Sequence, residues 1–193
     1  MRVVLATKNK HKLLEFKNIF KESLEILSLL DIGFNEEIEE TGTTFIENSL
    51  IKCKKIYESV KMPVLADDSG LCVESLNYEP GVLSARFGGK NLTDKERYEL
   101  LLTKLDRNRK HNASFVCALS LYINPNRIYV IQEEVKGEIT FEPKGTNGFG
   151  YDPIFYLPEL NKTMAELSAE EKNRISHRAK ASYILNKILE FGI

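Results

Sequence analysis

Five groups of residues carry side chains that could do chemistry. Thr7, Asn9 and Lys12 lie on the polar stretch Thr7-Lys8-Asn9-Lys10-His11-Lys12, between a short apolar run and a helical pattern. A helix N-terminus offers unpaired N–H groups and a positive dipole end, so it receives phosphate readily. A hydroxyl, an amide and an ammonium there would supply further donors. The glycines of a Walker A loop are missing, and the stretch reads equally as an exposed basic turn. The second group is Asp67-Asp68-Ser69-Gly70, after the apolar run Val64–Ala66. Adjacent strand residues face opposite sides, so only one of the two carboxylates can point into a given site. Loops beyond strand ends are where α/β sheets hold ligands. Two Asp at such a place could hold magnesium or activate water; the bland alternative is an Asx turn closed by Gly70.

The other three groups are less specific. Glu36-Glu37-Ile38-Glu39-Glu40 precedes Thr41-Gly42. Such an acidic run is usually a solvated loop, although one carboxylate could join an aspartate on a hard cation. Gly145 to Pro153 sets Phe149, Tyr151 and Asp152 among three glycines. Aromatic rings on a tight loop suit stacking on a base, or the loop packs on its own aromatics. Lys172, Ser176, His177 and Arg178 form the last group. With Ser176 as N-cap, His177 and Arg178 would occupy the first helical turn, where cations oppose the dipole. A surface histidine is the plain alternative.

The elements that must position these groups alternate along the chain. Val3–Ala6 reads as a buried strand, and Leu13, Phe16, Ile19 and Phe20 recur at helical spacing. Thr44 and Glu47 form a capping box before a helix whose apolar face would be Ile46, Leu50, Cys53 and Tyr57, ended by Pro63. Thr93 and Glu96 form another, before Tyr98, Leu101, Leu102 and Leu105. Residues 113–122 predict a strand covered on both faces. Asn124-Pro125-Asn126 predicts a turn, followed by separate strands at 128–131 and 134–139. Ser168 caps a short helix, and Ile184, Leu185, Ile188 and Leu189 mark a last one. Strands and helices interleave, but the middle strands lack helices between them. The expectation is one α/β domain, residues 1–193, with a mixed sheet.

Composition narrows the partners. The chain has 193 residues, with 27 Lys plus Arg against 28 Asp plus Glu. That near-neutral balance disfavours a nucleic-acid partner held by charge. No apolar run is long enough for a membrane span, and no signal-peptide pattern opens the chain, so a cytoplasmic protein is expected. Cys53, Cys72 and Cys117 are widely spaced and odd in number, as expected of buried thiols in a reducing compartment. No His/Cys spacing suits zinc.

The order of the motifs is more specific than any one of them. Thr7-x-Asn9-x-x-Lys12, Glu39-Glu40-Thr41-Gly42-x-Thr44-Phe45-x-Glu47-Asn48, Ala66-Asp67-Asp68-Ser69-Gly70-Leu71, Pro80-Gly81-x-x-Ser84-Ala85-Arg86, Gly148-Phe149-Gly150-Tyr151-Asp152-Pro153 and Ser176-His177-Arg178 follow one another. Together they closely resemble the inosine triphosphate pyrophosphatase family, which removes non-canonical purine nucleotides, and the resemblance spans almost the whole chain. It implies an elongated α/β fold with a mixed β-sheet flanked by helices, two lobes with a central nucleotide-binding cleft, and a homodimer. It implies hydrolysis of ITP, dITP, XTP and dXTP to the monophosphate and pyrophosphate, with Mg2+ as cofactor. Thr7, Asn9, Lys12 and Lys52 would bind the triphosphate, and Lys8, Lys10 and His11 would be further substrate-binding residues. Glu39 and Asp68 would ligate the metal, Asp68 would also accept the proton of the attacking water, and Ser69 would touch substrate. Phe149, Gly150, Tyr151, Asp152, Lys172, His177 and Arg178 would form the nucleoside pocket, with Arg178 or His177 donating to the 6-oxygen of the base. Lys8 and Asn147 stand where many bacterial members have Gly.

Two other readings compete. A Maf-like nucleotide pyrophosphatase would typically open with a Ser-x-Ser-x-Arg-Arg pattern, which Thr7–Lys12 does not fit. A nucleotide-sensing module that binds without hydrolysis would not need Asp68.

Overall fold

The computed structural model describes residues 1–192. Strand β1 (Arg2–Leu5) leads into helix α1 (Lys10–Ile19). Asn9 caps α1, its Oδ1 accepting from the backbone N–H of His11 at 2.8 Å and of Lys12 at 3.2 Å. Strand β2 (Glu25–Leu27) follows, an element that the sequence pattern did not announce. Helix α2 (Phe45–Val60) opens on the expected capping box: Thr44 accepts from Glu47 N–H, and the Glu47 carboxylate accepts from Thr44 N–H at 3.0 Å. Then come β3 (Val64–Val73), α3 (Asp94–Thr103), β4 (Asn112–Asn124) and β5 (Arg127–Ile139). Short strands β6 (Phe155–Leu157) and β7 (Lys162–Thr163) precede α4 (Ala169–Ile175) and α5 (His177–Glu190).

The strands form one seven-stranded sheet in the order β2-β1-β3-β4-β5-β6-β7. β1 is parallel to β2 and β3, whereas β6 is antiparallel to β5 and β7. This is the mixed α/β sheet that the interleaved pattern predicts. Two details differ. β3 does not stop at Ala66 but runs through Asp67-Asp68-Ser69-Gly70, so that motif lies mid-strand and is not an Asx turn. The expected strands at 128–131 and 134–139 are one continuous β5. No helix among the described residues is long and apolar enough to cross a membrane.

The chain divides into two compact units: residues 1–68, 117–133 and 178 onward, and residues 69–116 and 134–177. In the first unit, side-chain alternation splits the strands between two apolar clusters. Val3, Leu5 and Leu65 pack with Phe16 and Phe20 beside α1 and with Ala181 and Leu185 of α5. Val4, Ala6, Val64 and Ala66 pack with Cys53 and Ile56 of α2. The buried face of α2 is therefore Phe45, Asn48, Ser49, Lys52, Cys53 and Ile56. It is rotated from the expected face, and Ile46 is 37% exposed. Polar Asn48, Ser49 and Lys52 sit inward, which defeats a reading based on hydrophobic periodicity. Ser49 and Ser120 are satisfied by each other, with their hydroxyls 2.7 Å apart. All three cysteines are buried and free.

The second unit has its own core, with Leu71, Val73, Tyr98, Leu101, Phe115, Phe155 and Met164 among its members. Beside it lies a buried cation, Arg97, 5% exposed on α3. Its guanidinium donates to the carbonyls of Phe87 (2.7 Å), Gly89 (3.0 Å) and Leu92 (2.7 Å), gathering the 87–92 loop onto α3. Arg97→Met keeps the apolar stem but removes all three donations. We expect a stability loss of about 2 kcal/mol or more, since hydrogen bonds to charged groups are the strong ones. Limited trypsin digestion should then show new cleavage after Lys90. Unchanged urea stability and digestion would assign the loop's order to other contacts.

Candidate active site

Strand alternation decides where the two aspartates go. Asp67 has the parity of Leu65 and faces α1 and α5; Asp68 has the parity of Ala66 and faces α2. Asp67 Oδ2 is 2.8 Å from Lys12 Nζ of α1 and 3.4 Å from Arg178 Nε of α5. Asp68 Oδ2 accepts from Asn48 Nδ2 at 3.1 Å, and its Oδ1 is 3.5 Å from Lys52 Nζ. Lys52 also pairs with Glu40 Oε1 at 3.0 Å. Asn48 Oδ1 in turn accepts from Gly42 N–H at 2.8 Å. A Cβ at Gly42 would come within 2.7 Å of that oxygen, so only glycine allows the approach.

The two environments push the carboxyls apart. Burial raises Asp68, and Glu40 adds to the rise; Lys52, Lys12 and Asn48 oppose it without cancelling it. Burial acts upward on Asp67 as well, but the cations of Lys12, Arg178 and Lys52 outweigh it and hold that carboxyl well below the usual range. Burial acts downward on Lys52, yet Asp68, Asp67 and Glu40 outweigh it and keep the ammonium charged. Asp67 is a fixed anion, and Asp68 is the better proton acceptor.

The remaining expected residues of the first unit fall into three sets. Thr7 Oγ1 accepts from Asn9 N–H at 3.1 Å, and Asn9 caps α1, so both shape the turn that presents Lys12. Lys8 donates to the Asn35 carbonyl at 3.2 Å; Lys8, Lys10 and His11 are exposed. Glu39 is exposed, whereas its neighbour Glu40 is the carboxylate on Lys52. Arg178 is 4% exposed and also donates to Glu15 Oε2 at 3.0 Å. Within the first unit its guanidinium is grouped with Lys12 on Asp67.

The nucleoside-pocket residues of the second unit form a cluster of their own. Asp152 Oδ2 accepts from Lys172 Nζ at 2.7 Å and from Phe149 N–H at 2.9 Å. Lys172 Nζ lies 4.9 Å from the Phe149 ring centroid. Gly150 N–H donates to Asp94 Oδ2 at 2.7 Å. Gly148 has a φ of +77°, and a Cβ there would meet Asp152 Oδ2 at 2.0 Å. Tyr151 is not a stacking surface: its ring is part of the core, and its hydroxyl donates to the Ser84 carbonyl at 2.9 Å. Phe149, half-buried, is the loop aromatic that keeps an outward face. His177 is not a surface histidine either; it is 3% exposed and stacks on Phe115 at 5.1 Å. Ser69 is half-buried.

Sequence reasoning missed Asn48, Glu40, Glu15 and Asp94. Asn48 carried a signal. Asn is a poor residue for a helix interior, and it stands four residues before Lys52, on one face with Phe45 and Ile56.

The Ham1 family matches residues 3–188. A dITP/XTP pyrophosphatase of Bacillus licheniformis is 46% identical over 191 residues, which covers 97% of each chain. One of Bacillus subtilis is 44% identical, covering 97% of this chain and 96% of its own. The structure of the Staphylococcus aureus Ham1 protein aligns over 100% of both chains with a TM-score of 0.90 and 41% identity. With the family matched over nearly its whole length, and relatives at this identity, the chain belongs to the Ham1 family.

Proposed function

We propose that the protein hydrolyses non-canonical purine nucleoside triphosphates (ITP, dITP, XTP and dXTP) between the α- and β-phosphates, releasing the monophosphate and pyrophosphate. The observation that carries this reading is Asp68: a buried carboxylate raised above its ordinary value by burial, held between Asn48 and the buried ammonium of Lys52 on α2. A carboxylate in that position can act as general base toward a water held against it. The names of the relatives, dITP/XTP pyrophosphatase, point to the same substrates. We further read the chain as one catalytic domain acting as a cytoplasmic homodimer without a nucleic-acid partner.

The roles follow from charge and reach. Lys12 and Lys52 bind phosphate oxygens and oppose the charge that develops on the leaving pyrophosphate. Asp68 orients water toward the α-phosphorus and takes its proton, with Asn48 fixing the carboxylate. Glu40 holds Lys52 close to Asp68. No covalent nucleophile is needed. Phe149 stacks on the base, Lys172 and His177 read its polar edge, and Ser69 contacts the substrate. Thr7, Asn9 and the exposed Lys8, Lys10 and His11 complete the phosphate-facing turn.

We propose a divalent cation, Mg2+, held by Asp68 and Glu39. Among the described residues no group of three or more His, Cys, Asp or Glu is assembled. One or two carboxylates, with substrate phosphates and water in the other positions, is the usual magnesium arrangement. Bound there, the cation would neutralise phosphate charge.

Incubation with ITP, XTP, GTP or ATP and magnesium should release pyrophosphate fastest from ITP and XTP. Binding without pyrophosphate release would instead identify a sensing module, and a preference for canonical nucleotides a Maf-like enzyme. Asp68→Asn should keep the fold and lower kcat by about 100-fold or more, as loss of a positioned base does. Near-normal turnover would remove Asp68 from that role. Chelation should abolish activity, magnesium should restore it, and calcium should restore it poorly because its coordination is longer and looser. Full activity in chelator would rule out the cation.

A further inference from the structure

Three elements of the first unit are closed into a ring of charge. Lys12 of α1 pairs with Asp67 of β3 at 2.8 Å, and Asp67 with Arg178 of α5 at 3.4 Å. Arg178 returns to α1 through Glu15 at 3.0 Å. Both cations lie on the same oxygen, Asp67 Oδ2. Lys12 and Glu15 are three residues apart, hence on one face of α1.

The four members are not equally accessible. The Asp67 side chain is 0% exposed and that of Arg178 is 5%, whereas that of Lys12 is 15% exposed. Asp67 therefore cannot itself meet a ligand; of the two cations on it, Lys12 is the one with more reach to the surface. A lysine ammonium has three N–H donors on a flexible four-carbon stem. Donating one of them to a rigid strand residue fixes the nitrogen and aims the other two. Stability alone is a weak reason for such a ring, because a buried ion pair is often no better than apolar packing of the same volume.

We propose that Asp67 is a positioning residue: anchored by Arg178 and Glu15, it holds the Lys12 ammonium ready for the phosphate oxygens of the nucleotide. The proposal rests on the reading of Lys12 as a phosphate ligand. By this account Arg178 steadies Asp67, and through it Lys12.

A double-mutant cycle on the full chain tests it, with Asp67→Asn, Lys12→Met and the pair assayed for pyrophosphate release from ITP with magnesium. Lys12→Met should lower kcat/KM by about 100-fold, and Asp67→Asn by about tenfold, chiefly through KM; in the Lys12→Met background Asp67→Asn should add less than about twofold. Independent, multiplying effects would overturn the proposal and leave Asp67 a structural anion, with Lys12 still a phosphate ligand. Unchanged kcat/KM in Lys12→Met would overturn the phosphate reading itself, and the proposal with it. Should Asp67→Asn fail to fold, the unmodified protein decides by NMR of its lysine ammonium groups. A protected Lys12 signal without nucleotide, assigned by its loss in Lys12→Met, is expected. An ammonium exchanging freely with water would overturn the proposal.

Discussion

Two carboxylates on consecutive residues of one strand cannot share a face, and the first unit is arranged around that fact. β3 sends Asp67 toward α1 and α5 and Asp68 toward α2. Each buried charge then needs its own compensation. Lys12 and Arg178 answer one, while Lys52 and Asn48 answer the other. The compensation is unequal, and the inequality is useful. Lys12, Arg178 and Lys52 outweigh burial at Asp67 and hold it well below the usual carboxylate range, whereas burial, with Glu40 adding to it, keeps Asp68 raised.

The legibility of the sequence follows the same line. Caps and core helices could be read where local rules act alone: Thr44, Thr93 and Ser168 each close the expected capping box. The mixed sheet could be read from element order, and the family from ordered motifs. What could not be read is where buried polar residues override pattern. The inward face of α2 carries Asn48, Ser49 and Lys52, so hydrophobic periodicity pointed to Ile46, Leu50 and Tyr57 instead. β3 was cut short at Ala66 because Asp67-Asp68-Ser69-Gly70 has the composition of a turn; Lys12, Arg178, Lys52 and Asn48, all distant in sequence, are what allow two aspartates inside a strand.

Neighbours in the nucleoside-pocket motif have different packing partners. His177 and Arg178 are consecutive, yet the first stacks on Phe115 and the second pairs with Asp67 and Glu15. Phe149 and Tyr151 are two apart in a glycine loop, yet only Tyr151 is part of the core. A motif records which residues are needed together, without saying which direction each one points.

The span of the Asp67–Arg178 pair bears on how the protein is made. The partners are 111 residues apart in sequence, and Arg178 stands at the start of α5. During synthesis β1, α1 and β3 leave the ribosome long before α5 does. For that interval Asp67 has Lys12 but lacks its second cation, and the cluster of α1 side chains lacks Ala181 and Leu185. A nascent chain with such an uncovered apolar face is of the kind that chaperones exist to shield. Arrival of α5 would thus be the moment at which the first unit becomes a finished object to the cell's quality control.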